Sequence, residues 1–101
     1  MIFKLEPVKR DKRGKKIADY SVRDFYEKLS EELLEAHEIA CTCEDINESA
    51  TNEITELLDL MTVCTTRINV LLPLADCYGG LEYLQKKIIE RNRRRGYFDE
   101  N

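Results

Sequence analysis

Apolar residues recur at steps of three and four along two long stretches of this chain, and this period most constrains its fold. The first stretch consists of Val22, Phe25, Leu29, Leu33, Ala36 and Ala40, and the second of Ile54, Leu57, Met61, Cys64, Ile68 and Leu71. Such spacing matches the roughly 3.6 residues per turn of an α-helix. The sequence predicts an all-α helical bundle with two long antiparallel helices that pack through these stripes.

Local signals predict where the helices begin and end. Ser21 can cap the first helix, and Asp24 follows three residues later, as in a capping box. We expect this helix to end near Cys43, with a loop over residues 44–47. Ser49 or Thr51 can cap the second helix.

Proline and glycine divide the rest of the chain. Pro73 should end or kink the second helix, and Gly79-Gly80 marks the next break. A last helix is predicted from about Leu81. Its predicted buried face consists of Leu81, Leu84, Ile88 and Ile89.

The length of 101 residues predicts one folded domain. Residues 1–19 are polar, basic and weakly patterned, so we interpret them as an N-terminal arm of unassigned structure and residues 20–98 as the helical domain. A chain this short buries a modest core, which makes oligomerisation a natural source of further burial.

Charge is distributed unevenly along the chain. Ten acidic residues and no Lys or Arg occur between Glu31 and Asp59, whereas seven basic residues occur between Lys4 and Lys16 and six between Lys86 and Arg95. An acidic centre can collect cations, and basic flanks can collect phosphates. A protein that handles metal–nucleotide complexes needs both, although solvated salt bridges between the ends and the middle would explain the same pattern.

The N-terminus is charged within four residues, and we see no stretch that approaches the roughly 20 apolar residues of a membrane span. We therefore expect a cytoplasmic protein with reduced thiols. The cysteines are Cys41, Cys43, Cys64 and Cys77.

Carboxylates lie one turn apart on both long helices. Glu32 and Glu35 flank the first stripe, and Glu56 and Asp59 flank the second. Antiparallel packing can bring the four together, where like charges repel and a hard divalent cation, Mg²⁺ or alternatively Mn²⁺, would relieve the repulsion. These positions hold no His or Cys, which disfavours zinc. The alternative interpretation is a solvated acidic helix face.

The segment from Lys28 to Glu35, followed by Glu56-Leu57-Leu58-Asp59, resembles the all-α nucleoside triphosphate pyrophosphohydrolases. That superfamily includes MazG, phosphoribosyl-ATP pyrophosphohydrolase and dimeric dUTPase, and its signature is Glu-Glu-x-x-Glu followed at variable distance by Glu-x-x-Asp. The end Arg95-Gly96-Tyr97-Phe98 is similar to the basic end of MazG-like proteins. The resemblance covers roughly residues 21–98. The chain departs from many members in its acidic Cys-x-Cys loop and its lack of Trp.

The resemblance implies Mg²⁺-dependent hydrolysis of the α–β phosphoanhydride of a nucleoside triphosphate to a nucleoside monophosphate and pyrophosphate. It implies Glu32, Glu35, Glu56 and Asp59 as metal ligands, and Glu31, Glu32 and Glu35 as the catalytic carboxylates. Lys28, Lys87, Arg91 and Arg94 would contact phosphates. Phe25, Tyr26, Tyr83 and Tyr97 are candidates for stacking on the base. The implied assembly is a homodimer or homotetramer with its site lined by more than one chain.

Other interpretations stay open at this point. A non-catalytic helical interaction or regulatory module would also carry an acidic middle and a basic tail. A nucleic-acid-binding helical protein would use Arg93, Arg94 and Arg95. His37 and Cys41 are four residues apart on a predicted helix, but a structural zinc site normally needs four ligands.

Overall fold

The computed structural model describes residues 5–42, 45–75 and 79–100. Its three α-helices are α1 (Val22–Thr42), α2 (Ile46–Leu71) and α3 (Gly80–Arg94), and α1 packs against α2. Within the described residues there is no β-strand, and the backbone pairs as a sheet only at an isolated antiparallel bridge between Arg10 and Lys16. The predicted all-α fold is confirmed.

Helix α1 begins at the predicted capping box. The Asp24 backbone N–H donates to Ser21 Oγ at 3.1 Å, and the Ser21 backbone N–H donates to Asp24 Oδ2 at 2.9 Å. Two backbone donors that the first turn would leave unsatisfied are thus bonded. The last residue of α1, Thr42, lies next to the predicted end, and Cys43 itself lies outside the described residues.

Replacing Ser21 with Ala is expected to lower the free energy of unfolding by about 1 kcal/mol, because one N-terminal donor of α1 loses its acceptor. Urea denaturation followed by circular dichroism measures the change. Ser30→Ala is the matched control, since the Ser30 hydroxyl bonds to the Tyr26 carbonyl within the helix and caps nothing. Equal losses in the two variants would show that the capping box contributes nothing particular.

Helix α2 begins earlier than predicted. Asp45 caps it by accepting bonds from the backbone N–H groups of Asn47 at 2.9 Å and Glu48 at 3.3 Å. The prediction of Ser49 or Thr51 as the cap was therefore wrong, since Asp45, four residues nearer to α1 than Ser49, already satisfies the first turn. At the other end the helix stops at Leu71, which confirms the predicted end at Pro73, and a 3₁₀ turn, Leu72–Leu74, follows.

The two long helices do not pack through the predicted α2 stripe. The buried and half-buried positions of α2 include Glu56, Leu60, Val63, Thr66 and Val70. The stripe itself is exposed, with exposed fractions of 37–58% for its five aliphatic and methionine side chains. We call it the apolar seam: Ile54, Leu57, Met61, Cys64, Ile68 and Leu71. The prediction was wrong here because a helix can carry two packing faces, and the more polar one meets α1.

The buried face of α1 is also more polar than predicted. Phe25 and Ala36 are buried, but Glu32 is buried between them, while Val22 and Leu33 of the predicted stripe are more than half exposed. A carboxylate in the helix–helix contact breaks the hydrophobic pattern. Such a break is typical of a functional position.

By length and composition alone, the segment Ile46–Leu74 is apolar enough to cross a membrane, with a mean hydropathy of 1.4 in its most apolar window and 6% of that window buried. No such segment was predicted from the sequence. An amphipathic helix that packs its apolar face against another copy has the same composition, so one such helix is weak evidence for a span.

The N-terminal arm is attached to α2 within the first of two compact units, Met1–Val70. The Val8 backbone N–H donates to Thr66 Oγ1 at 3.1 Å, and the Ile17 side chain is buried. A 3₁₀ turn, Ile17–Asp19, then leads into α1. Residues 5–19 of the arm are therefore an ordered part of this unit.

The second unit, Leu71–Asn101, contains α3. Gly79 precedes this helix with φ of +86°, a conformation that glycine adopts without strain, and the predicted break there is confirmed. The helix ends at Arg94 in a turn through Gly96 and Tyr97, also as predicted. Its predicted buried face is wrong: Leu81, Leu84, Ile88 and Ile89 have exposed fractions of 37–48%.

Candidate metal centre

The short connection between α1 and α2 sets which residues face each other. Only residues 43–45 separate the two helices, so they must run antiparallel, and positions equally far from the connection lie side by side. Glu32 and Glu56 are such a pair. The fold therefore brings the two signature motifs together even though the helices meet through a different face from the one predicted.

Three carboxylates converge at this point. One oxygen from each of Glu32, Glu35 and Glu56 lies within 4.8 Å of the others. Glu32 is buried with an exposed fraction of 8%, Glu56 is half-buried and Glu35 is exposed. Buried carboxylates held this close are costly unless a positive charge accompanies them.

Two oxygens of this cluster lack partners. Oε2 of Glu32 and Oε2 of Glu56 are shielded from solvent and have no hydrogen-bond partner among the described residues. Buried polar atoms are almost always bonded, so such exceptions point to a missing ligand or ion. The oxygens belong to two different helices, which is the arrangement expected of a shared cation.

Lys28 supplies part of the compensating charge. Its Nζ lies 3.0 Å from Glu32 Oε1 and 3.7 Å from Glu31 Oε2. The hydrogen bond to Glu32 raises the pKa of Lys28, which keeps the ammonium charged near neutral pH. One lysine is too little for Glu31, Glu32 and Glu35 around it, and the cluster stays negative.

The pKa of Glu56 is raised from its ordinary value, chiefly by burial and then by the charges of Asp59, Glu35 and Glu32. Repulsion of this kind is what a divalent cation removes. The donors are all carboxylate oxygens, which suit Mg²⁺ or Mn²⁺ and lack the nitrogen and sulfur that zinc favours. The residues present fit a hard divalent cation.

Without metal, Glu56→Gln is expected to raise the melting temperature at pH 7.5, because it removes a charge that folding disfavours. A carboxyl whose pKa is raised in the folded state destabilises the fold above that pKa. The penalty disappears as pH falls below the ordinary value of 4.5, so the gain should vanish there. Thermal melts in EDTA at several pH values measure it. A gain that is constant with pH would contradict the electrostatic cause.

The other predicted site residues lie in different places. Asp59 is exposed and stands outside the group of three, but with Glu32 it lines a cavity of about 290 Å³ between the arm, α1 and α2. Glu31 is exposed and lines a second cavity, of about 430 Å³, with Glu35. Lys87, Arg91 and Arg94 are exposed on α3 in the second unit, and their contact with phosphate stays a prediction.

Phe25, one of the four candidates for stacking on the base, is enclosed by other side chains. Its exposed fraction is 3%, its ring meets Tyr20 edge-on at 5.1 Å, and the Arg67 guanidinium lies 4.8 Å from its centroid. It is therefore a core residue. Tyr26, Tyr83 and Tyr97 are exposed.

His37 and Cys41, which the sequence places four residues apart, lie close together in α1. Cys41 Sγ lies 3.5 Å from His37 Nε2, at the exposed end of α1. Cys43 and Cys77 lie outside the described residues. Cys41 and Cys64 are free and exposed.

Lys12, Arg13 and Tyr20 line the 430 Å³ cavity, and the sequence analysis assigned none of them a role. The basic run of the arm was visible in the sequence. Its position beside the carboxylates was not, because the arm is held there by a bond between Val8 and Thr66, which are 58 residues apart.

No model of a known protein family, no curated protein and no solved structure matches this chain. The pyrophosphohydrolase resemblance therefore rests on the motif residues themselves.

Proposed function

We propose that this protein is a Mg²⁺-dependent nucleoside triphosphate pyrophosphohydrolase. The observation that carries the proposal is the meeting of Glu32, Glu35 and Glu56 within 4.8 Å, with unpartnered, solvent-shielded oxygens on two of them. A solvated acidic face would leave those oxygens in water. The burial of Glu32 thus favours a cation site over a solvated acidic helix face.

The proposed metal ligands are Glu32, Glu35 and Glu56, with Asp59 one turn along α2 from Glu56. Bound there, Mg²⁺ would polarise the phosphate chain and lower the pKa of a coordinated water. Glu32 is fixed by burial and by its 3.0 Å contact with Lys28, which limits the rotamers that it can adopt. Preorganised ligands lose little freedom when the cation binds.

Glu31 and Glu35 line the same cavity, so their carboxylates can accept a proton from an attacking water or orient it. Lys28 lines that cavity too, and its ammonium can contact a phosphate oxygen as well as Glu31 and Glu32. Attack at the α-phosphorus would release pyrophosphate and leave the nucleoside monophosphate.

The proposed assembly is a homodimer or homotetramer formed through the apolar seam. Steps of three and four alternate along the whole seam, which is the spacing of a coiled-coil contact. Contiguous exposed apolar surface of this kind usually marks an interaction site. The same helix then packs against α1 on one face and against a second copy on the other.

The proposal is tested by identifying products. The protein is incubated with Mg²⁺ and a panel of ribo- and deoxyribonucleoside triphosphates, and products are resolved by ³¹P NMR and ion-exchange chromatography. We expect equimolar nucleoside monophosphate and pyrophosphate, abolished by EDTA. Nucleoside diphosphate and phosphate would contradict attack at the α-phosphorus. No product from any nucleotide would favour the non-catalytic interaction module.

A further inference from the structure

A cavity of about 430 Å³ separates the N-terminal arm from α1, within the first unit. Its two walls carry opposite charge: Lys12, Arg13 and Lys15 on the arm, and Glu27, Glu31 and Glu35 on α1. The volume lies within the roughly 300–1,000 Å³ typical of small-molecule sites. One wall thus shares Glu35 with the candidate metal centre, and the other is strongly basic.

The basic wall is a rigid loop. Asp11 Oδ1 accepts bonds from the backbone N–H groups of Arg13 and Lys15, both at 2.9 Å, and the Tyr20 hydroxyl donates to Asp11 Oδ2 at 2.8 Å. Gly14 takes the left-handed turn conformation with φ of +84°. These bonds lower the pKa of Asp11, so its carboxylate stays ionised and the loop stays bonded at neutral pH. The backbone from which its cations extend is therefore held in place before any ligand binds.

Two cations of this wall are free to bind a ligand. Lys15 is engaged by Asp24 at 3.2 Å and lies over the Tyr20 ring at 5.5 Å. By contrast, no ion pair of Lys12 or Arg13 occurs among the described residues, although both line the cavity. Arginine and lysine presented together on an ordered loop suit the oxygens of a phosphate chain.

We propose that Lys12 and Arg13 of the arm bind the phosphate chain of the nucleotide across the cavity from the metal centre. This inference deepens the proposed function and rests on it. The arm thus acts as a positioning element: the carboxylates hold the cation at one side of the chain of phosphates, and the arm neutralises the other side.

The acidic wall favours an anion that carries a bound cation over one that does not. An acidic peptide or a bare nucleic acid backbone would bring more negative charge against Glu35, and against Glu27 and Glu31, whose pairing with Arg23 and Lys28 leaves the wall acidic, so like charges repel it. A magnesium–phosphate complex presents a cation to the acidic wall and oxygens to the basic wall. The cavity therefore suits a metal-bound oligophosphate.

The test measures binding of tripolyphosphate by isothermal titration calorimetry in excess MgCl₂. The pocket variant is Lys12→Ala/Arg13→Ala. The control is Lys9→Ala/Lys16→Ala, which removes two charges from the same arm at positions that line a different cavity. The pocket variant should weaken binding by roughly tenfold or more, since two charge-assisted contacts are lost. The control should bind within about threefold of the wild type, because only long-range attraction is lost there.

Two results would overturn the inference: wild-type protein that does not bind tripolyphosphate, or equal affinities in the two double variants. Nucleotide hydrolysis is followed in parallel. Arm-dependent tripolyphosphate binding without nucleotide turnover would remove the proposed function and keep the inference. Nucleotide turnover whose KM is unchanged in Lys12→Ala/Arg13→Ala would support the proposed function and contradict the role of the arm.

Discussion

Glu56→Gln is expected to lower kcat/KM for Mg²⁺-dependent pyrophosphate release by about 100-fold or more. Replacing residues that merely support metal ligands typically costs about 10–100-fold, and a direct ligand should cost at least as much. The neutral amide keeps the size of the side chain but loses the charge that the cation needs. A coupled assay for pyrophosphate measures the loss.

Glu38→Gln is the matched control, because Glu38 is exposed on α1 and outside the group of three carboxylates. It should retain activity within about twofold of the wild type, as surface substitutions usually do little. Wild-type-like turnover by Glu56→Gln would remove this carboxylate from the reaction. If Glu56→Gln has both a higher melting temperature in EDTA and this loss of activity, then Glu56 destabilises the fold but is needed for the reaction.

Met61→Glu is expected to dissociate the assembly and leave a monomer. Met61 lies in the middle of the apolar seam, and self-association would bury it. A carboxylate desolvated there has no partner, which costs several kcal/mol and raises the dissociation constant by about 100-fold or more. Analytical ultracentrifugation across a concentration series measures the change.

Thr55→Glu adds the same charge on an exposed position of α2 outside the seam, so it should associate like the wild type. A wild-type protein that is monomeric at high concentration would contradict the proposed assembly. So would a Met61→Glu variant whose dissociation constant is unchanged.

The helix bounds followed largely from local chemistry. The reciprocal bonds of Ser21 and Asp24 depend on residues three apart, and Pro73 and Gly79 act through their own backbone restrictions. Such signals are contained in short sequence windows. The predicted start of α2 was wrong, although it too depends on local capping. Several residues before the stripe can cap a helix, and the cap in the structure is Asp45.

The packing faces could not be predicted from periodicity. A stripe such as Leu57-Met61-Cys64 reports that a face is apolar, but it does not report whether α1 or another chain covers it. In this fold α1 meets the more polar face of α2, and the apolar seam stays exposed. The sequence nevertheless indicated that Glu32 and Glu56 could meet, although it ascribed their meeting to packing through the stripes. Carboxylates at this spacing on two antiparallel helices come together in the structure without that packing.

The basic wall of the cavity could not be predicted from the sequence. Lys12 and Arg13 belong to a loop with no period, and their place beside Glu35 depends on the distant bond between Val8 and Thr66. A tertiary contact between residues 58 apart leaves no local pattern. The basic run between Lys4 and Lys16 is evident from the sequence, but its position in the fold is not.

The central claim is that Glu32, Glu35 and Glu56 together hold a divalent cation, and Mn²⁺ titration followed by electron paramagnetic resonance tests it most directly. Bound Mn²⁺ loses the sharp signal of the free ion, so the bound fraction is counted without any need for turnover. We expect saturable binding to the wild type, competition by Mg²⁺, and loss of binding in Glu35→Gln and Glu56→Gln but not in Glu38→Gln. Wild-type protein that leaves the free-ion signal undiminished, or equal binding by all three variants, would contradict the account.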